Sequence, residues 1–431
     1  MIKAKTIVLI ERLHWLIFKK PISGEMKNFI TNLGWVSFGT IVAMILLFLA
    51  NLFAARWLGP DEYGRFSLVT AFSQLLILPM LIGLEHASTR YLASEKNKDL
   101  LASTSLIGFL GYLGASTLLY FIFKPQILTA LNLESALFGY AVIYAIVLAG
   151  QRLGEGLLKG FHEFKRLALV KILQSVLIFV VFFIAVGLFD DFSFRSYTIA
   201  TIVGFFGYFA YSLFDLRNSF KLIKPTIPVL KKITTYGGIA SIGGLAIFIS
   251  LHANRFILNS YTGPAAVGLL AAYLSAANAI TGQIRLVFSQ VFFPTVSKIG
   301  DISEIISKLN RIALIAFVPL SLINSILIAG IIYLFGSQYD LQLGYTLLFG
   351  LNATLFFYSE TYRWFNNSRG TGSVKKTVAT TSLIAIISLV LNFVLIRSLG
   401  IYGAIIILVL VNGSQYLAFA RQIRIQPKIR N

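Results

Sequence analysis

The chain has 431 residues, of which 57% are hydrophobic and 13% charged, and its mean hydropathy is +0.80. This composition excludes a soluble globular protein, which needs more charge to stay in solution. The net charge of +20 would suggest nucleic acid in a soluble protein, but here it indicates basic cytoplasmic loops beside anionic lipid.

Cysteine is absent, which excludes disulfides, thiolate metal sites and cysteine nucleophiles. The four histidines are too scattered to indicate a metal cluster. We therefore expect no metal and no cofactor.

A basic segment, residues 1–33, precedes the first apolar block. It contains six Lys and Arg residues and two short apolar runs, and it lacks the small-residue cleavage site of a signal peptide. Residues 2–20 predict an amphipathic helix that lies on the cytoplasmic leaflet.

Twelve apolar blocks of about 20 residues follow, the length at which a helix crosses a bilayer. The predicted spans are 34–55, 66–92, 100–123, 136–158, 168–189 and 196–217, and then 233–258, 265–294, 309–335, 342–363, 374–397 and 400–420. A linker, 218–232, separates the two sets, and a tail, 421–431, ends the chain. No loop is long enough to hold a soluble catalytic domain, so we predict that the protein is not an enzyme.

The distribution of basic residues predicts the orientation. With both termini in the cytoplasm, 29 of the 37 Lys and Arg residues lie on the cytoplasmic side and five lie in the opposite loops. This asymmetry follows the positive-inside rule and supports an even number of spans.

An internal repeat appears at an offset of 204 residues. Gly59-Pro60 and Gly64, after the first span, correspond to Gly263-Pro264 and Gly268, after the seventh. A second correspondence, at an offset of 210, joins the basic segments before spans five and eleven. The repeat predicts two six-helix bundles, 34–217 and 233–420, that meet around a central cavity.

Two segments resemble a known family. These are Leu58-Gly59-Pro60-Asp61-Glu62-Tyr63-Gly64-Arg65-Phe66, after the first span, and Asn392-Phe393-Val394-Leu395-Ile396 followed by Gly400-Ile401-Tyr402-Gly403-Ala404. Both are similar to segments of Wzx-type flippases, the polysaccharide transporters of the multidrug/oligosaccharidyl-lipid/polysaccharide exporter (MOP) superfamily. Arg397 stands where that family commonly has proline.

The resemblance implies an all-α, V-shaped fold like that of the MATE transporters. It also implies a function: a multi-pass protein of the bacterial inner membrane that moves undecaprenyl-diphosphate-linked oligosaccharide, such as an O-antigen unit, from the cytoplasmic to the outer leaflet. The implied partners are this lipid-linked oligosaccharide, membrane lipids, H⁺ or Na⁺ as a coupling ion, and polysaccharide polymerase or assembly proteins. Nucleic acid is not expected.

Polar residues within spans seven and eight are the candidates for substrate binding. Ionisable groups at membrane depth are costly and normally face a cavity or a partner. Arg255 and His252 lie one turn apart in span seven, and Asn278 and Arg285 belong to a polar stripe along span eight. Arginine suits a diphosphate because it binds one in a bidentate manner. Snorkelling of either arginine to the interface is the alternative.

Mixed charges lie near the predicted cytoplasmic ends of three spans. Span two contains Glu85 and Arg90, span four contains Arg152 and Glu155, and span ten ends with Glu360 and Arg363. We interpret these groups as local ion pairs or a gate between the bundles. Alternatively, Glu85, Glu155 or Glu360 exchanges the coupling ion, and Arg152 contributes to substrate binding.

Three other functions compete with the flippase. A drug or cation exporter would favour acidic residues in the cavity, and a lipid II flippase of the same superfamily often has more spans. A membrane polysaccharide polymerase or ligase would be expected to have a large external loop with catalytic Arg or His, whereas the external loops here are short.

Overall fold

The computed structural model describes residues 24–287, 303–367 and 371–425. Every regular element in these ranges is a helix, as the long apolar blocks require in lipid. The helices are α1 (Gly24–Leu81), α2 (Leu84–Ser94), α3 (Lys98–Ile122), α4 (Lys124–Leu131), α5 (Ser135–Gly160), α6 (Phe164–Phe189), α7 (Phe194–Leu216), α8 (Ile227–Thr262), α9 (Pro264–Val287), α10 (Ser303–Phe335), α11 (Leu343–Asn367), α12 (Thr371–Leu399) and α13 (Ile401–Ile425).

Two equivalent glycines break the chain in the same way. Gly59 interrupts α1 with φ 73° and ψ 173°, and Gly263 separates α8 from α9 with φ 84° and ψ 177°. Residues with a side chain almost never adopt this conformation. In both repeats proline follows and opens the next helix, where its missing N–H costs nothing. The backbone therefore confirms the repeat at offset 204.

In the described ranges, dividing α1 at Gly59 gives twelve helical arms of membrane-spanning length. Nine described helices are long and apolar enough to cross a membrane, with α1 counted once. The other two arms are α8 and α11, which both contribute polar residues to the cavity described below. The predicted all-α fold with about twelve spans is confirmed.

The helices form two halves, α1–α7 and α8–α13, around a core that is continuous between them. Large apolar side chains are exposed on the outside of both halves, among them Leu188 at 75% and Leu314 at 81%. Such exposure is expected where lipid rather than water covers the surface.

The two halves meet closely where the two Gly-Pro pairs lie, which we call the Gly-Pro end. A Cβ on Gly64 would lie 1.9 Å from the carbonyl oxygen of Pro264, and one on Gly268 would lie 1.8 Å from that of Pro60. The contact is thus reciprocal, as a two-fold relation between the halves requires. Glycine at both positions lets the backbones of α1 and α9 touch.

The ends of several helices differ from the predicted boundaries. The segment 56–65, predicted as a loop, is helical except at Gly59, because Pro60 starts the second arm of α1 and Asp61 and Glu62 occupy its first turn. Helix α8 begins at Ile227, inside the predicted linker, and α13 continues to Ile425. Helix α1 begins at Gly24, and the predicted amphipathic helix at 2–20 lies outside the described residues.

Candidate functional site

A polar cavity of about 280 Å³ lies within the second half. Four helices, α8, α9, α11 and α13, form its walls. Its lining residues are Leu251, His252, Arg255, Leu274, Ala277, Asn278, Thr281, Gly282, Asn352, Ala353, Phe356, Leu408 and Asn412. Three of the predicted substrate-binding residues, Arg255, His252 and Asn278, therefore share one cavity.

Arg255 and His252 supply the unsatisfied polar atoms of this cavity. Arg255 Nη1 donates to the backbone carbonyl of Ser67 at 3.5 Å, across the interface between the halves. Its Nε, like Nδ1 of His252, is buried and has no hydrogen-bonding partner within the described residues. Buried polar groups are normally paired, so these two atoms indicate a ligand.

Uncharged polar groups complete the cavity. Asn412 Nδ2 donates to Asn352 Oδ1 at 2.8 Å, which joins α13 to α11, and Thr281 Oγ1 is occupied by the carbonyl of Ala277 at 2.9 Å. Asn278 lines the cavity from α9. Amides can adapt to a ligand because each offers both donors and an acceptor.

Sequence reasoning missed Asn352 and Asn412. Each is a single amide inside a strongly apolar run, and that was the available signal. A single amide does not reveal which face of its helix is buried, so the pair could be recognised only after the helices were packed.

The electrostatic character of the cavity is cationic. Arg255 is a permanent cation, and the described residues that line the cavity include no carboxylate. A desolvated guanidinium is stabilised by an anion that accepts two parallel hydrogen bonds. The arrangement can therefore hold a phosphate or carboxylate group.

Arg255 also takes part in a symmetric connection between the halves. The repeat offset of 204 relates Arg255 to Asn51, whose Nδ2 donates to Ser275 Oγ of α9 at 2.6 Å. Asn51 Oδ1 accepts a hydrogen bond from Tyr63 Oη at 2.9 Å. Equivalent positions thus bond to the opposite half in both repeats, and the cation of the cavity is part of the interface.

Comparison with known proteins identifies the family. The sequence profile described as "Polysaccharide biosynthesis protein" matches residues 29–300, which is more than half of the chain. The chain belongs to the polysaccharide biosynthesis protein family. A putative O-antigen transporter of Shigella flexneri is 22% identical over 408 residues, which cover 88% of this chain and 94% of that protein.

Solved structures show that this family member has the MATE fold. An inward-facing multidrug resistance MATE transporter of the MOP superfamily matches with a TM-score of 0.65 and 17% identity, over 88% of this chain and 94% of that one. An outward-facing MATE structure matches with a TM-score of 0.57 and 18% identity, over 93% and 96%. These matches and the family confirm the resemblance to the MOP superfamily.

Two of the predicted substrate-binding residues of this family member are not seen in the cavity. Arg285 lies on α9, but its side chain is outside the described residues. Arg152 is exposed on α5, in the first half, and is not among the residues that line the cavity.

The carboxylate of Glu155 is paired inside the first half. Lys159 Nζ lies 2.8 Å and Lys171 Nζ 3.5 Å from its Oε1, and Gln151 donates to its Oε2 at 3.3 Å. The spacing of Glu155 and Lys159 predicted one ion pair, and α6 supplies the second. This group joins two helices of one half.

Of the other charged candidates, only Arg90 is seen against the opposite half. Among the described residues its guanidinium lies over the ring of Tyr236 of α8, 4.7 Å from the centroid. Glu85 Oε1 is 3.5 Å from His86 Nε2, and Arg363 pairs with the buried Glu360 on the same helix. Near Arg90, Lys232 pairs with Glu95.

Proposed function

We propose that this protein is a flippase that moves an undecaprenyl-diphosphate-linked oligosaccharide from the cytoplasmic to the outer leaflet of the bacterial inner membrane. The family match and the similarity to a putative O-antigen transporter support a polysaccharide transporter of the MOP superfamily rather than an enzyme. The single observation that carries the substrate class is the cationic cavity around Arg255.

The diphosphate is the part of the substrate that this cavity suits. Arg255 Nε and His252 Nδ1 have no partner in the described protein, and a diphosphate supplies acceptors for both. A drug or cation exporter is less well supported, since no carboxylate that would attract a cation lines the cavity in the part of the chain that the structure describes.

Alternating access is supported by the geometry of the interface. The halves touch at the Gly-Pro end, which the positive-inside rule assigns to the outer side. The halves touch a second time just past the end of α1, where a Cβ on Gly83 would lie 2.2 Å from the carbonyl oxygen of Gly237. In the proposed cycle, the contacts of Asn51 and Arg255 with the opposite half break when the outer side opens.

The coupling ion is proposed to act through a carboxylate outside the cavity. Glu85 is the first candidate, because its Oε2 is buried without a partner in the described residues. H⁺ and Na⁺ are distinguished by whether transport follows a pH gradient or a sodium gradient.

The function is tested in cells that lack the protein. We expect undecaprenyl-diphosphate oligosaccharide to accumulate on the cytoplasmic leaflet, and wild-type protein to clear it. At equal expression, Arg255→Ala should fail to clear the lipid-linked oligosaccharide. A hydrogen bond to a charged group contributes about 1.5–3 kcal/mol, which is roughly 10- to 150-fold in affinity. Arg397→Ala is the matched control, since Arg397 is an exposed arginine on α12 outside the cavity.

The outcomes separate the claims. Failure of Arg255→Ala with normal activity of Arg397→Ala supports the cationic cavity. If Arg255→Ala clears the lipid as wild type does, the diphosphate site is wrong. If deletion causes no accumulation, the flippase itself is wrong.

A further inference from the structure

A second cavity, of about 610 Å³, lies between the two halves. Its walls are the second arm of α1, Tyr120 of α3, the short helix α4 and the first part of α8. We call it the apolar groove. Its volume is within the range of about 300–1,000 Å³ that is typical of ligand pockets.

The apolar groove has almost no capacity for hydrogen bonding. Among the described residues that line it, the two polar side chains are those of Tyr120 and Ser241. Tyr120 Oη donates to the carbonyl of Leu76 at 2.7 Å, and Ser241 Oγ donates to that of Gly237 at 3.1 Å. Because both hydroxyls are already bonded, the groove suits a hydrocarbon chain rather than a sugar or a phosphate.

Helix α8 connects the apolar groove to the cationic cavity. Gly238, Ser241 and Leu245 line the groove, and His252 and Arg255 line the cavity. Spacings of three, four and seven residues place all five on one face of the helix. Leu245 and His252 are separated by about 10 Å along the axis, at 1.5 Å per residue.

Aromatic rings lie between the two cavities. Phe248 stacks on His252 with centroids 5.5 Å apart, and it also contacts Phe256 at 6.4 Å. Phe256 in turn contacts Phe72, a residue of the groove, at 6.5 Å. One helix face therefore presents an anion-binding region, an aromatic region and a hydrocarbon-binding region in order.

We propose that the apolar groove binds the polyprenyl chain of the substrate while its diphosphate occupies the cationic cavity. This inference rests on the proposed function. The substrate has a hydrocarbon chain and a charged diphosphate, and α8 lines one apolar site and one cationic site that suit these two parts. A bilayer phospholipid is the competing occupant, and the experiment below distinguishes the two.

The test uses the full chain in phosphatidylethanolamine nanodiscs with a sugar-free undecaprenyl diphosphate that bears a benzophenone on its chain. After irradiation, mass spectrometry maps the cross-linked peptides. Ala130→Trp fills the groove from α4, and Ala115→Trp is the matched control on an exposed position of α3 outside the groove. Unlabelled undecaprenyl diphosphate and phosphatidic acid serve as competitors.

We expect cross-links to 72–82 and 238–245 in wild type and in Ala115→Trp. In Ala130→Trp they should fall about tenfold, because overfilling a packed site costs on the order of 1–3 kcal/mol. Undecaprenyl diphosphate should compete and phosphatidic acid should not.

Two results would overturn the proposal. Equal competition by phosphatidic acid would assign the groove to bilayer lipid. Unchanged cross-linking in Ala130→Trp would place the chain elsewhere. Clearance of the lipid-linked oligosaccharide in cells is measured on the same variants. If wild type clears the lipid-linked oligosaccharide but no groove peptide is cross-linked, the assignment of the polyprenyl chain to the groove is wrong and the proposed function stands. If wild type neither clears it nor binds the probe, both are wrong.

Discussion

Replacing Gly268 with alanine should open the Gly-Pro end. The added Cβ would lie 1.8 Å from the carbonyl oxygen of Pro60, whereas ordinary contact begins at 3.4 Å. The opposing atom belongs to the backbone, so no side-chain rotation relieves the clash. Helices α1 and α9 must separate by about 1.5 Å at this point.

The magnitude follows from the cost of overpacking, about 1–3 kcal/mol. A free-energy change of about 1.4 kcal/mol is a factor of ten in an equilibrium constant. The population of the closed conformation should therefore fall roughly 5- to 150-fold relative to any conformation in which these ends are apart. Gly64→Ala should act similarly, since its Cβ would meet Pro264 in the reciprocal contact. The variant with both substitutions should destabilise the closed conformation by less than the sum of the two single effects, because one separation of the helices relieves both clashes.

The assay measures the distance between the halves directly. The chain contains no cysteine, so Gln126→Cys and Leu341→Cys can be spin-labelled without removing other thiols. Both residues are exposed near the Gly-Pro end, one in each half. Pulsed electron paramagnetic resonance in nanodiscs should show a larger long-distance population for Gly268→Ala than for the parent.

Gly330→Ala is the control, because a Cβ at Gly330 of α10 meets nothing within 4 Å. It should leave the distance distribution unchanged. If Gly268→Ala folds normally and also leaves the distribution unchanged, the reasoning about this interface is refuted.

Three further predictions concern single residues. Gly59→Ala should lower the thermal unfolding temperature relative to Gly330→Ala, since the φ and ψ of Gly59 cost another residue about 1–3 kcal/mol; an equal temperature would contradict this. Arg255→Lys should keep the charge but lose the paired donors, reducing transport of the lipid-linked oligosaccharide about tenfold, and wild-type transport would exclude bidentate binding. Glu155→Gln should lower the unfolding temperature while transport at low temperature persists, because this carboxylate joins two helices of one half; loss of transport in a stably folded variant would instead make it functional.

The sequence predicted the features that depend on local pattern. Gly59 and Gly263 were recognised as equivalent from spacing alone, and their backbone angles differ by only 11° in φ and 4° in ψ. The shared cavity of Arg255 and His252 agrees with their positions one turn apart. The pairing of Glu155 with Lys159 likewise followed from helical periodicity.

Features that depend on packing between helices were not predictable in the same way. The Asn352–Asn412 pair and the second partner of Glu155, Lys171, come from helices whose relative rotation the sequence does not specify. The apolar groove is lined by ordinary apolar residues, which carry no signal before the halves are assembled. The loop predicted between the first two spans was wrong because polar residues there occupy a helical first turn.

The most direct test of the central claim is a flipping measurement with purified protein. Proteoliposomes would contain the protein and an undecaprenyl-diphosphate oligosaccharide with a fluorescent sugar, and a membrane-impermeant quencher would report the label in the outer leaflet. Wild type should make the label that begins in the inner leaflet accessible within the assay, and Arg255→Ala should do so at least tenfold more slowly. Equal rates for protein-free vesicles and wild type would contradict the assignment of this chain as a flippase.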